Sequence, residues 1–172
     1  DRPGFYLPMG LTAENVAKQY GISREDQDVF GVQSHVRAEA AAKAGVFARQ
    51  IIEVAGCKAD EGIRPGATYE ATSQLKPVFR EDGTVTAGNA SQMSDGAGAL
   101  VLASESYAEE HGHKPLGHVE GAAVAGVAAE TMGIGPVPAV QKLLARHDWA
   151  VDDFAQVELN EAFAAQALAV MR

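Results

Sequence analysis

The stretch Val157-Glu158-Leu159-Asn160-Glu161-Ala162-Phe163-Ala164-Ala165-Gln166 decides how this chain is read. A short apolar run ends on Asn160, and Ala-rich residues follow it. The pattern predicts a strand over 157–159 and a helix over 161–171. In open α/β sheets, ligands bind beyond the carboxyl ends of the strands. Asn160 stands at such a point. Its side chain can cap the helix or turn its amide to a ligand or a water, and position alone leaves both open.

The same alternation continues upstream. Gly98-Ala99-Leu100-Val101-Leu102-Ala103 is apolar on both faces and predicts a buried strand, and residues 116–124 predict a second. Between them, 104–111 predicts a helix closed by Gly112. Pro136 and Pro138 suit the first turn of a helix running to His147. Strands alternating with helices make the fold class α/β, a sheet with helices on its faces.

The first half is different. Thr12 is expected to cap a helix ending at Gly21. Ser23 and Asp26 open a longer one over 24–44, stopped by Gly45. Residues 50–54 predict a short strand. Residues 55–96 are rich in Gly, Pro, Thr and Ser, a loop length that usually carries function.

Composition narrows the partners. Of 172 residues, 47% are hydrophobic and 22% charged, and the net charge is −9. Nucleic acid is not expected, because phosphate backbones need a basic surface. No apolar run is long enough for a membrane span. The one cysteine, Cys57, excludes an internal disulfide and suits a reducing, cytoplasmic setting. The chain opens Asp1-Arg2-Pro3-Gly4 without Met and closes at Met171-Arg172 inside an expected helix, so it reads as an internal segment.

Five motifs in order then carry a resemblance. They are Met9-Gly10-Leu11-Thr12-Ala13-Glu14, Asp60-Glu61-Gly62-Ile63-Arg64-Pro65, Thr86-Ala87-Gly88-Asn89-Ala90-Ser91, Met132-Gly133-Ile134-Gly135-Pro136 and Asn160-Glu161-Ala162-Phe163. Over residues 6–171 the chain resembles the thiolases. The resemblance implies a thiolase-like layered αβαβα fold, present in part, with a helical and loop-rich domain covering coenzyme A. It divides the chain into residues 1–112 and 113–172. The first part would be the C-terminal portion of an N-terminal domain, with a loop domain over 1–91 and a closing strand and helix over 92–112. The second would begin a C-terminal domain.

The implied reaction is acyl transfer by a 3-ketoacyl-CoA thiolase, cleaving 3-ketoacyl-CoA with coenzyme A to acetyl-CoA and a shortened acyl-CoA. Asn160 is the implied catalytic residue, holding a water in an oxyanion hole, where a fixed donor contributes on the order of 3 kcal/mol. Ser91 and Ala87 would flank the pantetheine arm, and Arg64 would meet the adenine end. Met9, Phe79, Met132 and Phe163 would line an apolar tunnel that excludes water. Pro8 before Met9 resembles degradative members, which points to fatty-acid β-oxidation. Coenzyme A is a substrate, with no metal and no permanently bound cofactor expected. A homodimer or homotetramer is expected of the full-length protein.

The departures are chemical. The family's nucleophilic Cys and the His of its Gly-His-Pro motif have no counterpart here. Cys57 lies in Gly56-Cys57-Lys58, an unrelated context, and none of the five histidines precedes Pro. His111 and His113 read as a solvated helix end. The chain alone is therefore expected to be inactive. An acyl-CoA or lipid carrier of the same fold, binding without turnover, is the alternative. A ketoacyl-synthase relative is disfavoured, since synthases carry His where Asn160 stands.

Overall fold

The computed structural model describes residues 3–172, so Asp1 and Arg2 of the opening lie outside it. Helix α1 spans Met9–Tyr20 and α2 spans Arg24–Lys43. Two short helices follow, α3 (Tyr69–Ser73) and α4 (Glu105–Glu110). The last two are α5 (Pro136–His147) and α6 (Ala164–Met171). Single 3-10 turns occupy Pro3–Tyr6, Val46–Arg49, Ala129–Ile134 and Val151–Asp153. No described helix is long and apolar enough to cross a membrane.

Local chemistry sets the helix ends. Ser23 caps α2, its Oγ accepting from Asp26 N–H at 3.0 Å, and Ser104 caps α4 by accepting from Tyr107 N–H at 3.2 Å. Gly21 ends α1 in the left-handed region at φ 62°. Thr12 does not cap α1. The helix starts earlier, after Pro8, whose missing N–H costs nothing there, and the Thr12 hydroxyl donates back to Met9 O at 2.7 Å.

The core lies where α1 meets α6. Val16, Ala17 and Ile22 pack on Ala165 and Ala169, with Ile134 and Leu168 at the margin. Asn15 ties the Ala129–Ile134 turn to this pair by donating to Glu130 O at 2.9 Å. The small residues of α6 allow close approach, so α6 and the Ala129–Ile134 turn dock directly on the first helix.

A polar clamp fixes the loop that follows α3. The buried Glu14 carboxylate accepts from the backbone N–H of Thr84 and of Val85 at 2.9 Å, and from the Thr84 hydroxyl at 3.0 Å. Thr84 Oγ1 in turn accepts from buried Gln27. Asn89 Nδ2 donates to Asp28 at 2.8 Å and to Thr84 O at 3.0 Å, while its Oδ1 accepts from Thr86 N–H at 2.8 Å. Asp28 is also paired with Arg24 at 2.7 Å, and Arg24 reaches the carbonyl of Leu75 at 2.8 Å. Residues 84–89 thus replace sheet or helix bonding with side-chain partners from α1 and α2. The fit is close, since a Cβ on Gly31 of α2 would stand 2.5 Å from Gly88 O.

The four expected strands do not form ladders. Among the described residues the only bridges are Val54 with Cys57, a tight turn, and Ala90 with Phe163. Residues 98–103 and 116–124 form no regular structure and no strand pairing. Leu100 is 90% and Val101 99% exposed. A buried strand needs neighbours on both sides and a layer on each face, and no described residue supplies them. Segment 116–124 gains only partial cover from α5, where Arg146 donates to Ala122 O at 2.9 Å and Lys142 to Val124 O at 3.3 Å. Residues 157–159 are likewise unpaired. The expected helix over 161–171 starts only at Ala164.

Two substitutions test the clamp. Glu14→Ala leaves the Thr84 and Val85 N–H groups without partners and should cost about 2–4 kcal/mol of folding stability, whereas Glu14→Gln, which keeps an acceptor, should cost less. Gly31→Ala should destabilise by about 1–3 kcal/mol through the clash with Gly88 O, although Ala by itself favours a helix by about 1 kcal/mol. Denaturant unfolding measures both. A Gly31→Ala variant more stable than the parent would contradict the contact.

Candidate functional site

The bridge between Ala90 and Phe163 builds the site. Ser91 N–H donates to Ala162 O and Ala164 N–H donates to Asn89 O, both at 2.9 Å. The second bond also satisfies one of the free N–H groups at the start of α6. Two of the motifs read from the sequence are thereby laid side by side. On this frame sit two adjoining clefts.

The first cleft encloses about 620 Å³. Its walls are one face of α2 (Phe30, Gly31, Ser34, His35), the 88–92 segment and residues 159–164. The α2 residues recur at spacings of three and four, so they share one side of the helix. The second cleft, about 420 Å³, lies between α1, the Met132–Gly133 turn and the same 158–163 segment. Met9, Leu159, Asn160, Ala162 and Phe163 border both.

Of the site residues expected from sequence, Met9, Ser91, Met132, Asn160 and Phe163 line the clefts. Asn160 is exposed on their shared rim and, among the described residues, no hydrogen bond engages its amide. It is not a helix cap. Phe163 occupies the cap position of α6, three residues later. Phe79 lies behind the second cleft, edge-on to Phe163 with centroids 6.3 Å apart. Ala87 is exposed on the turn before Gly88, outside both clefts. Arg64 does not line a cleft either. Its backbone N–H donates to Nδ1 of His35, which does.

Sequence reading missed the α2 face. Ser34 donates to Glu161 Oε2 at 2.6 Å, fastening the helix to the residue after Asn160. His35 is partly buried, and burial first, then the nearby Arg64 charge, hold its pKa below the usual 6.5, while Glu161 pulls the other way. The signal was present in Phe30, Gly31, Ser34 and His35 sharing one side of α2, but no motif marked them.

The thiol and the remaining histidines lie elsewhere. Cys57 is exposed, borders neither cleft and points its Sγ toward Ala59 O at 3.3 Å. His111 stacks on Tyr107 with centroids 4.0 Å apart, at the exposed end of α4. His147 stacks on Trp149 at 4.2 Å.

Chemically, the clefts offer apolar walls with few polar groups. The second presents Met9, Met132, Pro136, Leu159 and Phe163, a lining suited to a hydrocarbon or thioester chain. The first carries Ser34, His35, Asn89, Ser91 and Gln92, a lining suited to a longer polar ligand.

Comparison with known proteins agrees with this architecture. The thiolase N-terminal domain model matches residues 5–106 and the thiolase C-terminal domain model matches residues 113–172. The chain is 54% identical to a beta-ketoadipyl-CoA thiolase of Pseudomonas aeruginosa, over 96% of this chain and 43% of the relative. It is 49% identical to an acetyl-CoA acetyltransferase of Chromobacterium violaceum, over 95% and 44%. The crystal structure of human mitochondrial 3-ketoacyl-CoA thiolase in complex with CoA superimposes with a TM-score of 0.89 at 46% identity, covering 95% of this chain and 42% of that one. The Bacillus anthracis acetyl-CoA acetyltransferase gives 0.87 at 46% identity, covering 99% and 45%. The chain therefore spans less than half the length of the relatives it matches. The α/β fold of those structures is the fold to which its helices and extended segments belong. With both family models in sequence, and relatives about half identical across nearly all of its residues, the chain belongs to the thiolase family.

Proposed function

We propose that the protein containing these residues is a thiolytic acyltransferase, cleaving a 3-ketoacyl-CoA with coenzyme A. The observation that carries this reading is the Ala90–Phe163 bridge, which sets Ser91 and Asn160 on one continuous wall between a polar cleft and an apolar one. The first cleft takes the pantetheine arm past Ser91, with Ala87 and Arg64 toward the nucleotide end. The second takes the acyl chain between Met9, Met132 and Phe163, backed by Phe79.

The chemistry follows from that placement. A thiolate attacks the 3-keto carbonyl, and negative charge gathers on its oxygen. The C2–C3 bond then breaks, acetyl-CoA leaves after protonation at C2, and coenzyme A thiolate collects the acyl group from the enzyme. Asn160 on the cleft rim, with an uncommitted amide, holds a water against the developing oxyanion. No metal or resident cofactor is needed for these steps. The thiolate and its base are not among the 172 residues, so they come from elsewhere in the protein. Pro8 before Met9 supports the degradative direction of this reversible reaction, while the relatives carry the names of both beta-ketoadipyl-CoA thiolase and acetyl-CoA acetyltransferase. Fatty-acid β-oxidation is the proposed setting, in the cytoplasm and as a homo-oligomer.

The 172-residue chain alone should show no coenzyme A-dependent loss of acetoacetyl-CoA absorbance. Turnover that vanishes on Cys57→Ser would make Cys57 the nucleophile and overturn this assignment.

In the complete protein, Asn160→Asp should lower kcat by roughly 10²-fold or more with little change in melting temperature, because it replaces an amide donor and disturbs no cap. Retained activity would remove Asn160 from the chemistry. Binding of acyl-CoA by a complete protein that never turns it over would favour the carrier reading.

A further inference from the structure

Loop 60–66 is exposed along much of its length and forms no regular structure, yet four contacts hold it. Two come from one face of α2. His35 Nδ1 accepts from Arg64 N–H at 3.3 Å, and one turn later Glu39 Oε2 accepts from Gly66 N–H at 3.0 Å. A third comes from across the cleft, where Gln92 donates to Gly62 O. Within the loop, Asp60 folds back to accept from Gly62 N–H at 2.7 Å. His35 and Gln92 both line the first cleft. The loop is thus strung between two cleft walls, with Arg64 at the α2 end.

We propose that His35 is the positioning residue that holds Arg64 beside the first cleft, and that protonating its imidazole releases that hold. The proposal rests on the reading of this cleft as a coenzyme A site. The reasoning is a matter of donors and acceptors. Neutral imidazole has one nitrogen able to accept, and the Arg64 N–H uses it. In the imidazolium both nitrogens are donors, so two N–H groups face each other and the bond is lost. The added positive charge also lies near the Arg64 guanidinium and pushes it away.

The surrounding charges set the range in which this happens. Burial and Arg64 favour neutral His35, and Glu161 opposes them, so the proton is taken up on the acid side of the ordinary 6.5. Glu39, on the next turn, is held below the usual carboxylate range by Lys43 and by the Gly66 N–H. It stays ionised while His35 titrates. Acidification therefore frees Arg64 while Gly66 remains held. A folded pKa below the unfolded one means that the stability from this group is present above the ordinary value and declines as pH falls through it.

Hydrogen exchange read by mass spectrometry on peptides covering 60–66 tests the hold in the intact protein. After correction for intrinsic exchange, wild type should lose protection several-fold between pH 7.5 and about pH 5. His35→Gln, which offers an acceptor at every pH, should remove that dependence, and His35→Leu should be unprotected at both. Equal pH dependence in wild type and His35→Gln overturns the hold. Calorimetric titration with coenzyme A is the second arm. Wild-type affinity should fall by about 5-fold more than that of His35→Gln over the same interval, the loss expected for one hydrogen bond of about 1 kcal/mol. Titration of the ligand's own phosphate is common to both proteins and cancels. Loss of protection with no such difference in affinity overturns the positioning of Arg64 for this ligand. Absence of coenzyme A binding by every form at either pH instead defeats the reading of the cleft.

Discussion

The Glu14 carboxylate is the constraint on which the rest of this structure depends. Burying a carboxylate is costly unless its lone pairs are filled, and here two backbone N–H groups and a hydroxyl fill them. That need fixes residues 84 and 85 against α1. The Asn89–Asp28–Arg24 chain then fixes residue 89 against α2. With residues 84–89 held at both ends, the Ala90 backbone is presented to Phe163, and α6 can be seated on Asn89 O. Both clefts are defined by that seat. The polar residues of Thr-Val-Thr-Ala-Gly-Asn-Ala-Ser are therefore structural first, and the end of the run, Gly88 to Ser91, lines the cleft.

What the sequence revealed depended on how local the cause was. The cap at Ser23 and the left-handed Gly21 are decided within four residues, and each is visible in the letters. Asn160 was readable as a residue to watch because it falls in a short motif, and the structure sets it on the rim of both clefts. That it is not a cap was not readable. The start of α6 is set by Asn89, far away in sequence, and not by local preference. Phe30, Ser34 and His35 escaped notice because a helix face facing a cleft has the same spacing as one facing a core.

The unpaired segments teach a related lesson. The apolar character of 98–103 and 116–124 marks them as strands in composition, and the structure leaves them without regular structure, with Leu116 as exposed as a residue can be. Strand identity is a property of a sheet, not of a stretch of chain. These residues match thiolases more than twice as long. Their composition records a sheet that the described residues alone do not form.

The pairing of Ala90 with Phe163 has a consequence for the order in which the molecule is made. It spans roughly seventy residues, and closing so long a loop is entropically unfavourable before its contacts exist. The polar clamp from α1 and α2 onto Thr84 and Asn89 uses no residue beyond 89, so its hydrogen bonds can form while the ribosome is still adding chain, before α6 arrives to cover the apolar face of α1. The clefts cannot. Their common wall, 159–163, emerges about seventy residues after Ala90, and it is held in place by α6 behind it. Until residues 159–171 emerge, the nascent chain carries the clamp but neither cleft, so it offers a thioester no walled groove to enter.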